Sequence, residues 1–301
     1  MPGTIIVGLD GSTESLAAAE WAAREAALRN AAVELVQVWE PVPEPMAQAP
    51  LLGAETHQHW TGRVPREAAD GLRRRHPGVE VTTTQRTGAP ATNLLEAARE
   101  AELLVLGSRA LSGIAGFLIG SVGQAVVART EVPVILVRAG EQAADEHVAD
   151  PAGVPSAATA FRPVVLGLDT RSPDETVIGF AFEEARRRQA PLTALQAWYP
   201  PSSYAYSLAA GYDPSEDIAR EHAAALTEAL RPWREKYPDV EVTGVSRLGS
   251  PADQLVDASH DASLVVVGRR VRRNPLGVHI GAVAHAVMHH ATAPVAVVAH
   301  S

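Results

Sequence analysis

The chain has 301 residues, of which 46% are hydrophobic and 20% are charged, a composition typical of globular proteins and sufficient for two domains. Its formal net charge of −9 argues against a general affinity for nucleic acid or anionic membranes. Because the chain has no cysteine, disulfides, thiol catalysis and zinc–cysteine sites are excluded. The opening residues MPGTIIVGLDGS lack the features of a secretion signal, so we expect a cytoplasmic protein.

In the first half, short apolar runs alternate with segments of helical periodicity. These patterns predict strands at Ile5–Leu9, Val33–Trp39, Val79–Arg86, Leu103–Gly107 and Val134–Val137, and helices at Ser15–Arg29, Arg66–Arg75, Pro90–Ala101 and Ser121–Arg129. Ser12 or Ser15 is expected to cap the first helix. No regular structure is predicted for Glu40–Pro65, which contains five prolines.

The second half repeats this order. Strands are predicted at Val164–Leu168, Leu192–Trp198, Val240–Arg247, Leu264–Gly268 and Val295–Val298, and helices at Glu175–Gln189, Ser215–Lys236, Pro251–Ala258 and Ala282–His290. Tyr199–Pro214 again has no predicted regular structure. Corresponding residues recur at a nearly constant offset, 159 between Asp10 and Asp169 and 161 between Gly120 and Gly281. A whole domain has therefore been duplicated.

Strands that alternate with helices predict right-handed crossovers and a parallel sheet covered on both faces. We therefore expect an α/β protein with two tandem, doubly wound, parallel five-stranded sheets. The first domain is predicted to span residues 1–138 and the second 162–301. The polar, alanine-rich segment Ala139–Phe161, punctuated by prolines, is predicted to link them.

Glycines follow the fourth predicted strand of each half at similar spacing. In the first half, Gly107 ends the strand and Gly120–Ser121 opens a helix; Gly268 and Gly281 take these roles in the second. The carboxyl edge of a parallel sheet commonly holds ligands, and glycine lets the backbone approach a phosphate closely. The free N–H groups at a helix N-terminus favour an anion. The pattern therefore predicts phosphate binding.

Together with GLD after the first strand and a closing PV-x-V-V-type strand, these loops make both halves resemble the ATP-binding universal stress proteins, whose motif is G-x2-G-x9-G-[ST]. The resemblance covers nearly everything outside the predicted linker. It implies a Rossmann-like fold of the adenine nucleotide alpha hydrolase-like type. It also implies ATP as the ligand, with magnesium as an accompanying ion.

The resemblance assigns nucleotide-binding positions but no catalytic or metal-binding residue. By analogy, Asp10 bonds the nucleoside and the backbone at Val38 contacts adenine, with Asp169 and Ala197 as the equivalents in the second half. The residues expected to bind nucleotide are Gly8, Asp10, Val38, Gly107, Ser108, Arg109, Ala110, Gly120, Ser121 and Val122 in the first half, and Asp169, Ala197, Gly268, Arg269, Arg270, Gly281 and Ala282 in the second.

Three positions depart from the motif. Ala110 and Val271 replace its second glycine, and if that position needs a positive φ, Ala110 would carry a strain of roughly 1 kcal/mol or more. The loop around Val271 must then differ in shape. Ala282 lacks the hydroxyl that Ser121 supplies. We expect the first half to be the better site and the second to be altered or empty, unless positive charge compensates from Arg269, Arg270, Arg272 and Arg273.

Simpler interpretations stay open for each feature. The glycines could mark tight turns, and Asp10 and Asp169 could be helix caps. His285 and His289, one helical turn apart, have the spacing of metal ligands, but a surface helix face explains them more simply. His57 and His59, in the irregular Glu40–Pro65 segment, have no carboxylate cluster nearby.

The chain has no Walker A lysine, no G-x-S-x-G elbow, no G-x-G-x-x-G loop after a strand and no recognisable carboxylate pair. We therefore expect ATP binding with at most weak ATPase activity, in a sensor or regulator of stress or dormancy physiology. The alternatives are a slow ATPase or phosphotransferase, and a scaffold that does not bind nucleotide.

The resemblance also bears on assembly, because the last strand of such domains commonly pairs across a dimer. Pro133–Arg138 and Pro294–His300 could pair within one chain and make it a pseudo-dimer, and a homodimer is the alternative. A protein partner is expected, but nothing in the sequence identifies it.

Overall fold

The computed structural model describes residues 3–40, 63–110, 117–118, 120–200, 214–271 and 280–301. These residues form two compact units, divided in the sequence between Ala143 and Ala144. The segments for which no regular structure is predicted lie mostly outside the described residues, as do His57, His59, Arg272 and Arg273. Within the described part of the chain, no helix is both long and apolar enough to cross a bilayer.

The described residues of the first unit form a five-stranded parallel sheet in the order β3-β2-β1-β4-β6. Its elements are β1 (Thr4–Gly8), α1 (Thr13–Arg29), β2 (Ala32–Trp39), α2 (Arg63–Arg75), β3 (Val81–Thr87), α3 (Pro90–Ala97), β4 (Leu103–Ala110), β5 (Phe117–Leu118), α4 (Ser121–Arg129) and β6 (Val134–Arg138). The short β5 lies outside this order and pairs antiparallel with the end of β4. The direction of strand succession reverses at β1, which lies between β2 and β4.

The second unit repeats the arrangement, and its described strands follow the order β11-β10-β7-β8-β9. Its elements are β7 (Val164–Gly167), α5 (Glu175–Arg188), β8 (Leu192–Trp198), α6 (Ser215–Lys236), β9 (Val242–Leu248), α7 (Pro251–Ala258), β10 (Leu264–Arg270), α8 (Ala282–His290) and β11 (Val295–His300). All pairs among these five strands are parallel. The predicted fold class, two tandem doubly wound α/β domains, is therefore confirmed.

The central strands are buried on both faces, as their uniformly apolar sequences predict. Leu103, Leu104 and Val105 of β4 are fully buried, and so are Leu264 and Val265 of β10. Each core is completed by an aromatic side chain from the first helix of its unit, Trp21 from α1 and Phe182 from α5. Burying a large apolar side chain of this kind contributes about 1.5–3 kcal/mol, so these contacts hold the first helix against the sheet.

The duplication extends to individual backbone conformations. Both first helices end in a left-handed residue, Asn30 (φ 53°) and Gln189 (φ 49°). The third strand of each unit is followed by a glycine of positive φ, Gly88 (122°) and Gly249 (128°). Matching hydrogen bonds close the turn after the first strand, from Leu9 N–H to Val36 O and from Leu168 N–H to Leu195 O. Equivalent residues can therefore be compared between the two units.

Several element boundaries differ from prediction: α2 begins at Arg63 instead of Arg66, α3 ends at Ala97 instead of Ala101, and both fourth strands run further. The sequence predicts that these strands end at Gly107 and Gly268, but β4 continues to Ala110 and β10 to Arg270. The extension is stabilised by pairing, since Arg109 pairs with Leu118 of β5 and Arg269 pairs with Ala299 of β11. Gly107 and Gly268 therefore lie inside strands rather than at their ends.

The segment predicted as a linker has hydrogen-bonded structure of its own. The Asp150 side chain accepts hydrogen bonds from the backbone N–H groups of Ala152 and Val154 at 2.9 and 2.8 Å. The ring of His147 packs on Phe161 with centroids 4.0 Å apart, and the two residues form an isolated β-bridge. Composition alone does not reveal this order, because it depends on an aspartate side chain bonding nearby backbone N–H groups and on a bridge between residues 14 positions apart. The predicted domain boundaries stay predictions.

Candidate functional site

The loop after β1 places Asp10 beside the start of α1. Asp10 Oδ1 accepts hydrogen bonds from the Ser12 N–H at 2.9 Å and the Ser12 hydroxyl at 2.5 Å. Ser12 is the N-cap of α1 and accepts a hydrogen bond from the Ser15 N–H at 3.2 Å. Asp10 thus orients the capping residue without capping the helix itself, and its side chain is exposed at the carboxyl edge of the sheet.

Gly107 is required by packing against the first turn of α1. A Cβ atom on Gly107 would lie 2.5 Å from the carbonyl carbon of Glu14 and 2.7 Å from the Ser15 nitrogen. Gly8 differs, because a Cβ there would meet only the ends of side chains, Leu106 Cδ2 at 2.7 Å and Leu94 at 3.4 Å. It is therefore Gly107 that lets α1 and the Asp10 loop lie close to β4. The sequence suggested a different reason for glycine at position 107, namely close approach to a phosphate. In the structure, packing against α1 requires a glycine there in any case.

The three residues after Gly107 continue the strand. The buried Ser108 hydroxyl donates to Val137 O at 3.2 Å, so this side chain is engaged with β6. Arg109 and Ala110 lie in β4 and pair with β5. Since Ala110 has extended rather than left-handed backbone, the strain considered from the sequence does not arise. Position 110 of the motif is therefore part of an antiparallel strand pair, where a residue other than glycine fits without strain.

Gly120 is the N-cap of α4, and neither its backbone conformation nor its packing against described residues requires a glycine. Its φ and ψ of −60° and 162° suit any residue, and a Cβ on it would meet no described atom within 4 Å. No side chain caps this helix and its first turn has no acidic residue. The first intrahelical bond runs from Gln124 N–H to Gly120 O, so the N–H groups of Ser121 and Val122 precede the ladder.

The order of the strands brings the predicted site residues of the first unit to one edge of the sheet. Asp10 follows β1, Val38 lies near the end of β2, and α4 begins after β4 and leads back to the start of β6. The ends of these neighbouring parallel strands share the carboxyl edge of the sheet, at the point where strand succession reverses. Open α/β sheets hold ligands in such a crevice. The edge there combines an exposed carboxylate, a half-buried strand end and an uncapped helix N-terminus.

The second unit differs at the start of its first helix. α5 begins at Glu175, three residues later than the duplication offset places it, and Asp174 is its cap. Asp169, the equivalent of Asp10, instead accepts hydrogen bonds from the N–H and guanidinium of Arg171 at 3.1 and 3.3 Å. In neither unit is the first aspartate the helix cap, so that simpler interpretation is wrong. The longer loop brings the Ser172 hydroxyl to 2.8 Å from the Arg270 guanidinium.

The His300 imidazole occupies the space beside Gly268. A Cβ on Gly268 would lie 3.0 Å from His300 Cδ2 and Nε2, where the equivalent Gly107 faces helix backbone. His300 Nδ1 lies 3.5 Å from Asp174 Oδ2. The backbone of His300 also accepts the Val271 N–H at 2.6 Å, so Val271 continues the strand pairing with no left-handed backbone. The second site thus has a different lining from the first.

The remaining second-unit residues divide by exposure. Arg269 is buried, with 3% of its surface exposed, whereas Arg270 is exposed and bonded to Ser172. Gly281 repeats the geometry of Gly120: φ and ψ are −58° and 149°, no side chain caps α8, and a Cβ would meet nothing within 4 Å. Ala282 is exposed in the first turn of that helix, and Ala197 is half-buried in β8.

His285 and His289 lie on one face of α8 with ring centroids 4.4 Å apart. Burial lowers the pKa of His285 below its usual value, and the neighbouring positive charges of His289 and His290 lower it further. Among the described residues, no group of three or more histidine or acidic side chains is arranged to hold a metal ion. The simpler interpretation of His285 and His289, as neighbours on one face of a surface helix, agrees with this geometry.

Sequence reasoning missed a pair of buried glutamines, Gln37 in β2 and Gln196 in β8, at the 159-residue offset. Each interrupts an apolar strand one residue before the position assigned to adenine, in LVQVW and ALQAW. That recurrence of a polar residue in two buried strands is the signal that could have identified them.

Comparison with known proteins agrees with this architecture. The model of the universal stress protein family matches residues 1–138 and again residues 160–299. The chain is 34% identical over 306 residues to a universal stress protein of Mycobacterium tuberculosis, covering 99% of this chain and 97% of that protein. It is 32% identical over 305 residues to one of Mycolicibacterium smegmatis, covering 98% and 96% respectively.

Solved structures share the fold at lower sequence identity. A universal stress protein from Archaeoglobus fulgidus superimposes with a TM-score of 0.70 at 16% identity, covering 99% of this chain and 98% of that one. A second, from Pseudomonas aeruginosa, has a TM-score of 0.60 at 16% identity, with coverage of 99% and 93%. Each of the two matches extends over residues of both units of this chain.

Proposed function

The chain belongs to the universal stress protein family, with two family domains in tandem, and from that premise we propose that it binds ATP in its first unit and acts as a nucleotide-dependent sensor or regulator. Magnesium is the ion expected to accompany the triphosphate. In this proposal, the phosphates lie at the N-terminus of α4 and the nucleoside lies near Asp10 and the backbone at Val38. The site of action is the cytoplasm.

The geometry at Gly120 carries the proposal. Neither its backbone angles nor any described atom around it requires a glycine, which is the pattern left by a ligand that approaches the backbone. The uncapped N–H groups beyond it favour an anion, and no acidic residue of the first turn competes for them. The Ser121 hydroxyl, exposed beside them, adds a donor.

The second unit supports weaker binding. It keeps the bare helix N-terminus at Gly281, but Ala282 supplies no hydroxyl. The His300 ring fills the space beside Gly268, and Asp169 is engaged with Arg171. A ligand would therefore have to displace ordered side chains before it reached the strand ends, at a cost in affinity. Arg270 works in the opposite direction by adding positive charge.

A binding role is favoured over turnover. Hydrolysis needs a base that can activate water, and the carboxylate at the first-unit edge, Asp10, already accepts two hydrogen bonds from Ser12. A slow ATPase or phosphotransferase is the alternative, and an assay of phosphate release decides between the two.

Pairing of the last strands as a pseudo-dimer, or assembly as a homodimer, stays a prediction that sedimentation of the intact chain would test.

Titration calorimetry of the full-length protein with Mg·ATP tests the proposed function. Saturable binding, weakened by Gly120→Val while the cooperative unfolding transition is retained, is expected. Because a Cβ on Gly120 would meet no described atom within 4 Å, a valine there should disturb the ligand more than the fold. No binding by either protein would contradict the proposal and favour the scaffold alternative, whereas equal binding by both would contradict the placement of the phosphates at Gly120.

A further inference from the structure

The third strand of each unit pairs on one side only among the described strands. β3 pairs with β2, and β9 pairs with β8. The Val33 N–H donates to Glu80 O at 2.8 Å, so the next carbonyl of β3, that of Val81, points away from β2. The register of β9 repeats this at Val242. From there on, every second residue directs its N–H and C=O groups to the outer edge, where another strand could bond them.

An arginine side chain occupies the first outward carbonyl of each of these strands. Arg73 of α2 donates from Nη2 and Nε to Val81 O at 2.6 and 3.2 Å. Arg234 of α6 donates from Nη2 to Val242 O at 3.1 Å. The two arginines are 161 residues apart, and so are the two valines. The same bond is therefore present in both copies of the duplicated domain.

The sequences of the two strands lack the usual protection against strand addition. Edge strands of natural proteins commonly carry lysine, proline or a bulge. β3 (VTTTQRT) and β9 (VTGVSRL) have no lysine, proline or acidic residue, and their registers are unbroken. The charged side chain of each strand lies against a helix of its own unit. Arg86 Nη1 is 3.8 Å from Glu96 Oε2 of α3, and Arg247 donates to an amide of α7 at 3.1 Å. Thr83, whose backbone faces outward, is exposed.

We propose that Arg73 and Arg234 prevent the outer edges of β3 and β9 from pairing with a second copy of this chain. Neighbouring strands lie about 4.8 Å apart, so the guanidinium bonded to Val81 O occupies the place that an N–H of the incoming strand needs. The incoming strand would have to break this bond and desolvate or displace a charge that is exposed in the unpaired chain. Each outer edge is thus an interaction surface for an extended strand, blocked by one side chain.

The outer edge of β3 is complementary to a second copy of itself. Two antiparallel copies can pair with Thr83 opposite Thr83, because its backbone groups face outward. In this register Thr82 lies opposite Thr84. Val81 lies opposite Gln85, so no like charges meet at these positions, and threonine pairs are favourable across strands. Because both copies use the same surface, each opened edge supports one pairing with one partner.

Arg73→Ala and Arg74→Ala form a matched pair for the test. Both arginines are exposed in the last turn of α2, and each change removes one positive charge, but it is Arg73 that bonds Val81 O. Sedimentation velocity of the full chain over a concentration series measures self-association. Arg73→Ala should raise the association constant roughly tenfold, because an incoming strand no longer displaces a charge-assisted hydrogen bond. Arg74→Ala should leave the constant unchanged.

Substitutions at Thr83 assign any new association to the outer edge of β3. Thr83→Pro removes an outward N–H that β2 does not use, and it should cancel the effect of Arg73→Ala. Thr83→Lys places a charge at the same edge and should cancel it as well, while every backbone group stays in place. The lysine variant keeps the test decisive where proline weakens the strand. Circular dichroism confirms that each variant is folded at the temperature of the measurement.

Opening both edges should change the size of the assembly. Arg73→Ala opens one edge and should add a single pairing per chain. Arg73→Ala combined with Arg234→Ala opens two edges, so assemblies should grow beyond that single pairing as the concentration rises.

Equal association constants for Arg73→Ala, Arg74→Ala and the unaltered chain would overturn the proposal and leave Arg73 as a side chain that fastens α2 to β3. Association of Arg73→Ala that persists with both changes at Thr83 would also overturn it, because the contact would then lie elsewhere. Association gained in Arg73→Ala and lost again on adding Thr83→Lys supports the proposal. No nucleotide is added in these measurements, so their outcome does not depend on the proposed function.

Discussion

The backbone nitrogen of Ser15 lies so close to Gly107 that a Cβ atom on Gly107 would be 2.7 Å away from it. The first turn of α1 is therefore seated directly on β4, and the Asp10 loop is carried with it to the carboxyl edge. Gly120, another motif glycine of this unit, has no such neighbour among the described residues. One motif thus contains a glycine that packing requires and a glycine for which the described structure shows no such requirement.

Substituting these two glycines should separate stability from binding. Gly107→Ala should lower the free energy of unfolding by about 1–3 kcal/mol, because α1 backbone must move to admit the methyl group. Gly120→Ala should lower it by less, about 0.5–1 kcal/mol, because the only expected loss is that alanine is a poorer N-cap than glycine. Urea unfolding followed by circular dichroism measures both. Equal losses in the two variants would show that the packing at Gly107 is not tight.

Asp10 and Ser12 should likewise have separable roles. Ser12→Ala removes the α1 cap and should cost about 1 kcal/mol of stability. Asp10→Asn keeps an oxygen for the Ser12 N–H, so stability should hold, while affinity for ATP should fall roughly tenfold through loss of a charged hydrogen bond. Unfolding and calorimetry on each variant decide this. Unchanged ATP affinity in Asp10→Asn would leave Asp10 as a residue that only orients the cap.

The intact chain should release phosphate from ATP more slowly than roughly one per second, the lower end of ordinary enzyme turnover. The reason is that Asp10 is engaged with Ser12 and no other described side chain of that loop can act as a base. A coupled phosphate assay on the protein and on Gly120→Val is the measurement. Faster release that disappears in Gly120→Val would instead establish the enzyme alternative.

The histidine face of α8 should respond to pH in a defined direction. Because burial and the charges of His289 and His290 lower the pKa of His285, its ring should titrate below 6.5 in the folded protein. The unfolded chain then binds the proton first, so the contribution of His285 to stability is lost as pH falls below 6.5. NMR titration should give a low midpoint that rises in His289→Gln. A midpoint at or above 6.5 would refute the burial argument.

Much of the fold could be predicted from the sequence because the signals were local and repeated. The bounds of α4, β8, α6, α7 and α8 were predicted to the residue, since each has clear periodicity and an obvious terminus. The predicted ends of β4 and β10 lie several residues before the observed ones. Glycine was interpreted as the last strand residue, whereas pairing with β5 and β11 continues the strand beyond it.

The sequence predicted where the candidate site lies, but not which side chains surround its glycines. The duplication identified Asp10, Gly107 and Gly120 as equivalent to residues of the second half. It could not show that Gly107 serves packing, because that depends on the distance to α1. It also could not show His300 beside Gly268, since the two residues are brought together only by the pairing of β10 with β11. Contacts of this kind are set by tertiary structure.

The most direct test of the central claim is calorimetric titration of Mg·ATP into the full-length protein and two matched variants, Gly120→Val and Gly281→Val. These substitutions change the same structural position in the two units, and at neither would a Cβ meet a described atom within 4 Å, so the fold is expected to tolerate them equally. Gly281→Val should retain the tight binding of the unaltered chain, whereas Gly120→Val should bind at least tenfold more weakly, the gap expected between the first and second sites. Tight binding retained in Gly120→Val and lost in Gly281→Val would contradict the account, because it would place the principal nucleotide site in the second unit.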